Sequence, residues 1–245
     1  RNAFGMAGAE QKGMHVWNGD WMVRMVGETV FLNAKSDQVA LELKLSNSPI
    51  ILHGQRGYSV KNHEKSQFSY YYSMPRMHGD GTLYLNQKNI NIVNASVWFD
   101  HEFFDSNKGQ SNAYQQSVGS NYQGWDWFAI QFDDGSSTMI AQVRAKNTDR
   151  HYYFGTWINK NGSYQSIDAS QIDIQVLETW TSKQTNSTYP SKWRIRVRGD
   201  EFVVTPTLAN QELILKHLNG MSYWEGRSLV QGEKSGKAYV ELVGY

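Results

Sequence analysis

Runs rich in aromatic and β-branched residues recur along the chain, parted by clusters of Asn, Asp, Gly and Ser. The three-to-four-residue spacing of an amphipathic helix is almost absent. This pattern predicts an all-β protein. Strands are expected over His15–Trp17, Trp21–Met25, Val30–Ala34, Val39–Leu45, Phe68–Met74, Gly81–Asn86, Asn91–Phe103 and Gly124–Phe132. Further on they are expected over Thr138–Ala145, Tyr152–Ile158, Ile172–Thr181, Trp193–Val197, Glu201–Pro206, Ser222–Gln231 and Ala238–Val243. The dipeptides Asp134-Gly135, Asn161-Gly162, Gly199-Asp200 and Asn219-Gly220 supply the positive φ that tight turns between antiparallel strands require.

Two of these runs carry acids among bulky rings, SVWFDHEFF from Ser96 and WDWFAIQF from Trp125. An ionised carboxylate in an apolar site must be paired, hydrogen-bonded or neutralised. With a period of two, Trp98, Asp100 and Glu102 share one face of the first run while Phe99, His101 and Phe103 share the other. Trp125 and Trp127 oppose Asp126, Phe128, Ile130 and Phe132 in the second, which predicts a strand covered on both sides. The intervening stretch is long, polar and without aliphatic periodicity, as a connection or lid would be. The expected organisation is therefore a first domain over 1–104, a connection over 105–123 and a second domain over 124–245. The two halves share one hairpin-rich pattern, consistent with two related barrels.

Composition narrows the function classes. Lys and Arg number 24 against 23 Asp and Glu, so charge gives no reason to expect nucleic acid as a partner. There is no cysteine, hence neither a disulfide framework nor a thiolate metal site. Aromatic residues make up 13% and charged residues only 19%, which favours a lined cavity or a large interface. The chain opens at Arg1 with RNAFGMAGAE, and its N-terminus is expected to be incomplete.

The seven histidines show no spacing that would set a ligand pair on one element, so no metal is expected; G-x-S-x-G, G-x-x-x-x-G-K and H-E-x-x-H are all absent. Asp100, His101 and Glu102 read either as an acid held protonated by burial, ready to donate in a dry site, or as a buried salt-bridge cluster with Arg76 as counter-ion. Tyr70, Tyr71 and Tyr72 read as a pocket wall or as a cross-strand aromatic ladder. Trp125 and Trp127 have the same two readings, and their ring faces suit a carbocation.

The succession LHGQRGYSVK, FSYYYSMPRM, GTLYL, ASVWFDHEF, GWDWFAIQFDDG, YWEGRSLVQG and AYVELVGY resembles the carotenoid 1,2-hydratase (hydroxyneurosporene synthase) family. Its branch of secreted proteins linked to transporter operons is the nearer pattern, since Phe103 stands where the hydratases commonly have Trp. The resemblance implies two lipocalin-like antiparallel β-barrel domains, the N-terminal one incomplete here for want of a missing N-terminal segment. It also implies a lyase or isomerase of hydratase type that needs no cofactor and acts on an apolar, isoprenoid ligand in a cavity between the barrels. Asp100, His101, Glu102 and Asp126 fall on its catalytic motifs, with Tyr70, Tyr72, Arg76, Trp98, Trp125 and Trp127 as ligand-binding candidates. A periplasmic or secreted location and a membrane transporter as partner follow from the same resemblance. Two other functions use the same residues: a non-catalytic carrier of lipid, and a carbohydrate-active sandwich with Asp100, Glu102 and Asp126 as acid and base.

Overall fold

The computed structural model describes residues 5–103, 121–215 and 221–245. Among them there are nineteen strands, a single 3-10 turn and no α-helix. The first nine strands are β1 (Ala7–Ala9), β2 (His15–Asn18), β3 (Trp21–Val26), β4 (Thr29–Lys35), β5 (Val39–Ser46), β6 (Ile51–Leu52), β7 (Tyr58–Val60), β8 (Phe68–Leu85) and β9 (Lys88–Phe103). Then come β10 (Tyr122–Phe132), β11 (Ser137–Ala145), β12 (Tyr152–Ile158), β13 (Tyr164–Ile167), the 3-10 turn Ala169–Gln171 and β14 (Ile172–Thr181). The last are β15 (Thr188–Val197), β16 (Asp200–Pro206), β17 (Glu212–Leu215), β18 (Met221–Gly232) and β19 (Gly236–Val243). The chain divides into two compact units, one of residues 1–50 and 74–99, the other of residues 51–73 and 100–245. Of the three boundaries, the one at 50/51 precedes β6 and the other two fall inside long strands, β8 and β9. The expected connection over 105–123 lies almost wholly outside the described residues.

In the first unit β1 to β5 form an antiparallel meander that continues onto the C-terminal half of β8. Its core gathers Val30, Leu43, Leu45, Met74 and Met77, with Val23, Met25, Ile92 and Val97 packed around them. The sequence pattern breaks β8 at Pro75–Asp80, yet the strand runs through. Its N-terminal half pairs with β6 and β7 up to Ser73, and its C-terminal half pairs with β5 from Gly79 on. Pro75, which has no N–H to give, falls between those two ladders. Gly79 and Gly81 permit the close approach of β5: a Cβ at Gly79 would stand 1.9 Å from the Lys44 carbonyl oxygen. The β8–β9 hairpin turns at Asn86 and Gln87, both at positive φ, so β9 begins earlier than the expected Asn91.

In the second unit one antiparallel sheet runs β13-β12-β11-β10-β19-β18-β16-β15-β14, with β17 paired to β18. Its inward residues form one cluster that draws on every strand of that path, among them Phe128, Ile140, Trp157, Ile167, Ile172, Trp193, Phe202, Trp224 and Val240. Only a curled sheet can do this. Strands β10 and β15 are four places apart, about 19 Å along a flat sheet at the usual strand spacing. Even so, the rings of Phe128 and Trp193 meet at 5.4 Å. The two strands at the ends of the path, β13 and β14, are consecutive in the chain and joined by the 3-10 turn. Asp168 caps that turn by accepting the Ser170 N–H at 2.9 Å, and Gln171 accepts the Asp168 N–H at 3.3 Å. The expected turns at Asp134-Gly135 and Asn161-Gly162 are present, with Gly135 and Gly162 at positive φ. The turn at Gly199-Asp200 is shifted by one residue, its positive φ values falling on Arg198 and Gly199. Asn219-Gly220 lies outside the described residues.

Candidate functional site

Alternation along β10 sends Asp126, Phe128, Ile130 and Phe132 into the second unit's core and leaves Trp125 and Trp127 on the outer face. Strand register then aligns Phe154, Ala141, Trp127, Glu241 and Glu225 in one row across five strands of that outer face. Residues from 51–73 and 100–103 pack against this row. The Trp127 indole N–H donates to the Tyr71 hydroxyl at 3.1 Å, and the Lys61 ammonium sits 4.4 Å from the centre of the Phe154 ring.

Asp100 is the focus of the hydrogen bonding. Tyr71 donates to its Oδ2 at 3.0 Å, and the Ser73 hydroxyl donates to its Oδ1. A serine has one hydroxyl proton, so Ser73 Oγ must accept from His53 Nε2, 2.6 Å away. That puts the imidazole proton on Nε2 and leaves Nδ1 to accept from the Thr156 hydroxyl at 2.8 Å. Thr156, His53 and Ser73 thus form a directed chain in which every donor points toward Asp100, an arrangement that stabilises negative charge on its carboxylate. His53 is fully buried, and burial, aided by the Lys61 charge, pulls its pKa down to about 3, which keeps the ring neutral. Burial, followed by the Asp100 and Glu102 charges, raises the Tyr71 phenol well above its ordinary value.

Glu102 points to the same face. Its Oε1 lies 2.5 Å from the Lys61 ammonium and accepts the Ser69 hydroxyl at 2.5 Å. Lys61 is only 6% exposed and is also stacked 4.8 Å over the Tyr71 ring. Its burial lowers the ammonium pKa, while the charges of Glu102 and Asp100 pull it back up.

Of the other residues singled out from the sequence, His101, Tyr70, Tyr72 and Asp126 lie outside this hydrogen-bonded group. His101 points away from Asp100 and Glu102; its Nδ1 lies 3.0 Å from the Tyr72 hydroxyl and its ring 5.1 Å from Phe103. Tyr70 stacks on Phe103 at 5.5 Å, so Tyr70 and Tyr72 form an aromatic ladder with the end of β9. Asp126 is 1% exposed on the inner side of β10. There it pairs with Arg144 and accepts the Tyr245 hydroxyl at 2.8 Å, and Arg144 lies 3.8 Å over the Tyr245 ring. Burial lifts the Asp126 carboxyl above its ordinary value, with Arg144 and Tyr245 acting against that rise. Trp98 and Arg76 belong to the first unit, where the Arg76 N–H donates to Ser48 Oγ at 3.2 Å.

Tyr71 stood out in the sequence with its tyrosine neighbours, but His53, Lys61, Ser69, Ser73 and Glu241 were missed. A signal for two of them was present: at period two, Ser69 and Ser73 share a face with Tyr71 that Tyr70 and Tyr72 do not. His53 and Lys61 sit in the LHGQRGYSVK stretch with no local pattern of their own.

Known proteins share this fold. The chain aligns over 100% of its length with 74% of a crystal structure of an AttH protein from Nitrosomonas europaea, at 27% identity and a TM-score of 0.86. It also matches kievitone hydratase from Nectria haematococca over 95% of its length and 71% of that chain, at 14% identity and a TM-score of 0.74, a likeness of fold. No curated protein matches it. A family profile described as AttH-like covers residues 1–245, and the chain belongs to the AttH-like family.

Proposed function

We propose that this protein is a cofactor-independent hydratase that adds water across a trisubstituted alkene of an apolar, isoprenoid ligand. The observation that carries the reading is the Asp100 carboxylate, held by Ser73 and Tyr71 behind the Trp127 indole on an aromatic-rich face. Protonation of such an alkene makes a tertiary cation, which needs a proton donor, a negative or π-rich wall and a base for the incoming water. Asp100 takes the base role, because the donors converging on it favour its charged form. Trp125 and Trp127 supply the aromatic wall. The interior of the second unit's sheet is filled by its own core, so the ligand is placed on the outer face. We read the curled sheet as lipocalin-like. The fold shared with kievitone hydratase and the sequence resemblance to the carotenoid hydratases support the reaction class; the transporter-linked branch of that resemblance supports a periplasmic or secreted setting.

The test is incubation of the full chain with geranylgeraniol, which ends in a trisubstituted alkene, or with kievitone, in isotope-labelled water. Label should enter the product as a tertiary alcohol. Asp100→Asn should lower turnover by about 100-fold or more while keeping the melting temperature near that of the unaltered protein. Absence of label from both compounds, or a fully active Asp100→Asn, would overturn the reading.

A further inference from the structure

Near its end β19 carries a carboxylate with no role in the reaction so far. Glu241 stands directly opposite Glu225 on β18 and directly opposite Trp127 on β10, so it shares the row that faces Tyr71 and Asp100. The Trp125 indole N–H donates to Glu241 Oε1 at 2.9 Å, and the Tyr239 hydroxyl donates to Glu225 Oε2 at 3.3 Å. Both glutamates are half-buried. Two carboxylates facing each other across neighbouring strands repel when both are ionised, and protonation of either one removes that conflict. The groups acting on Glu241 compound the effect: Glu225 from β18 and Glu102 and Asp100 from the end of β9 are all acidic, with only the Trp125 N–H favouring charge.

We infer that Glu241 is the proton donor of this site, with Glu225 as the neighbouring acid that opposes its charge, while Asp100 serves as the base. The inference deepens the hydratase reading and rests on it. Burial first, and the Glu225 charge second, push Glu241 up to about 7, and burial raises Glu225 as well. Glu241 stands opposite Trp127, which donates to Tyr71, which in turn donates to Asp100, so a carboxylic acid and a carboxylate braced by hydroxyl donors belong to one group, the division of labour an acid–base pair requires. In the reaction the Glu241 O–H bond breaks as the alkene π pair forms a C–H bond at the less substituted carbon. Water adds to the tertiary cation and gives its proton to Asp100. Exchange with solvent returns Glu241 to the acid and Asp100 to the carboxylate, so the net change is alkene plus water to alcohol.

The experiment uses the full chain with geranylgeraniol, together with a carbon-13 titration of its glutamate carboxyls assigned through Glu241→Gln and Glu225→Gln. Glu241 should titrate near neutrality. Glu241→Gln should lose about 100-fold or more in turnover at every pH, with its denaturation midpoint little changed. Turnover of the unaltered protein should fall on the alkaline side as Glu241 loses its proton. Glu225→Gln removes the opposing charge, so it should stay active and move that alkaline limb to lower pH. A Glu241→Gln variant within a few-fold of the unaltered protein, or an alkaline limb that Glu225→Gln leaves in place, would overturn the assignment. So would a Glu241 carboxyl that titrates in the ordinary range of about 4.3, whether or not any substrate turns over. If Glu241 titrates near neutrality and nothing is hydrated, the hydratase reading fails and the donor role with it.

Discussion

His53 Nε2 lies 2.6 Å from Ser73 Oγ, and the opposite ring nitrogen lies 2.8 Å from Thr156 Oγ1, so a fully buried imidazole has both its nitrogens committed to hydroxyls. Such a ring cannot take a second proton without losing the hydrogen bond that Nδ1 accepts. Its folded-state pKa, about 3, is below the value of 6.5 expected in the unfolded chain. As pH falls below 6.5 the unfolded chain gains a proton that the folded one refuses, and stability is lost progressively down to about pH 3. The loss should reach on the order of 4 kcal/mol at the acid end. Urea unfolding at a series of pH values checks this: His53→Gln should show a shallower decline between pH 6.5 and 4 than the unaltered protein, even if it starts lower. Parallel declines would show that other groups set the acid limit.

Asp126 and Arg144 are both inside the second unit, the carboxylate 2% and the guanidinium 11% exposed at the side chain. Asp126→Asn keeps the shape but strands the guanidinium. It should cost about 3 to 5 kcal/mol of stability, measured by denaturant unfolding. Turnover per folded molecule should survive, because Asp126 lies on the inner side of β10 while Asp100 packs on the outer. An Asp126→Asn protein of unaltered stability and no turnover would place Asp126 in the chemistry instead.

Strand content was legible because aromatic and β-branched runs are self-announcing, and the two-sided character of β10 followed from alternation alone. The short strands β1, β6, β7, β13 and β17 were not, since two to four residues carry too little periodicity to register. The break read at Pro75–Asp80 shows a different limit. Proline and glycine usually end strands, yet here one falls between two ladders and the others make room for a neighbouring backbone, facts that only the pairing reveals. For the site, the acids Asp100 and Glu102 stood out as polar residues in an apolar run. Their partners His53 and Lys61 come from a segment some forty residues earlier, and Glu241 from almost the end of the chain; nothing local marks long-range partners of this kind.

Gly79 gives the first unit a sharp test. Its φ is ordinary, so alanine is conformationally allowed, but the added Cβ would meet the Lys44 carbonyl oxygen at 1.9 Å and the Leu45 Cα at 2.8 Å. Both are backbone atoms of β5, the paired strand, and neither can rotate aside. Gly79→Ala should therefore force β5 and β8 apart and cost roughly 2 to 4 kcal/mol. Gly13→Ala is the comparison: no atom lies within 4 Å of its Cβ, and only its positive φ of 84° resists, so its cost should be nearer 1 kcal/mol. Equal losses for the two would show that close approach at Gly79 is not what demands glycine.

Lys61 poses the opposite question, whether a buried ion pair stabilises this fold at all. The ammonium has left water almost completely, while its partner Glu102 keeps 30% of its side-chain surface exposed. Desolvation of the lysine is thus nearly complete, and the attraction that offsets it is to a group water still screens. The lowered pKa states the same balance: below about pH 10 the unfolded chain holds this proton more firmly than the folded one, so the charge costs stability at neutral pH. That cost fades as pH rises toward the ordinary lysine value. Lys61→Met sets an unbranched apolar side chain beside the Tyr71 and Phe154 rings that the ammonium now faces, removes the buried charge, and leaves Glu102 its hydrogen bond from Ser69 and access to water. Its stability at pH 7 should be within about 1 kcal/mol of the unaltered protein or above it. The gap in its favour should narrow as pH rises toward 10.5, the ordinary lysine value. Lys61→Glu, which sets a second carboxylate beside Glu102, should instead lose about 3 kcal/mol or more. If Lys61→Met loses as much as Lys61→Glu, the pair is a net contributor to stability and the desolvation argument fails at this site.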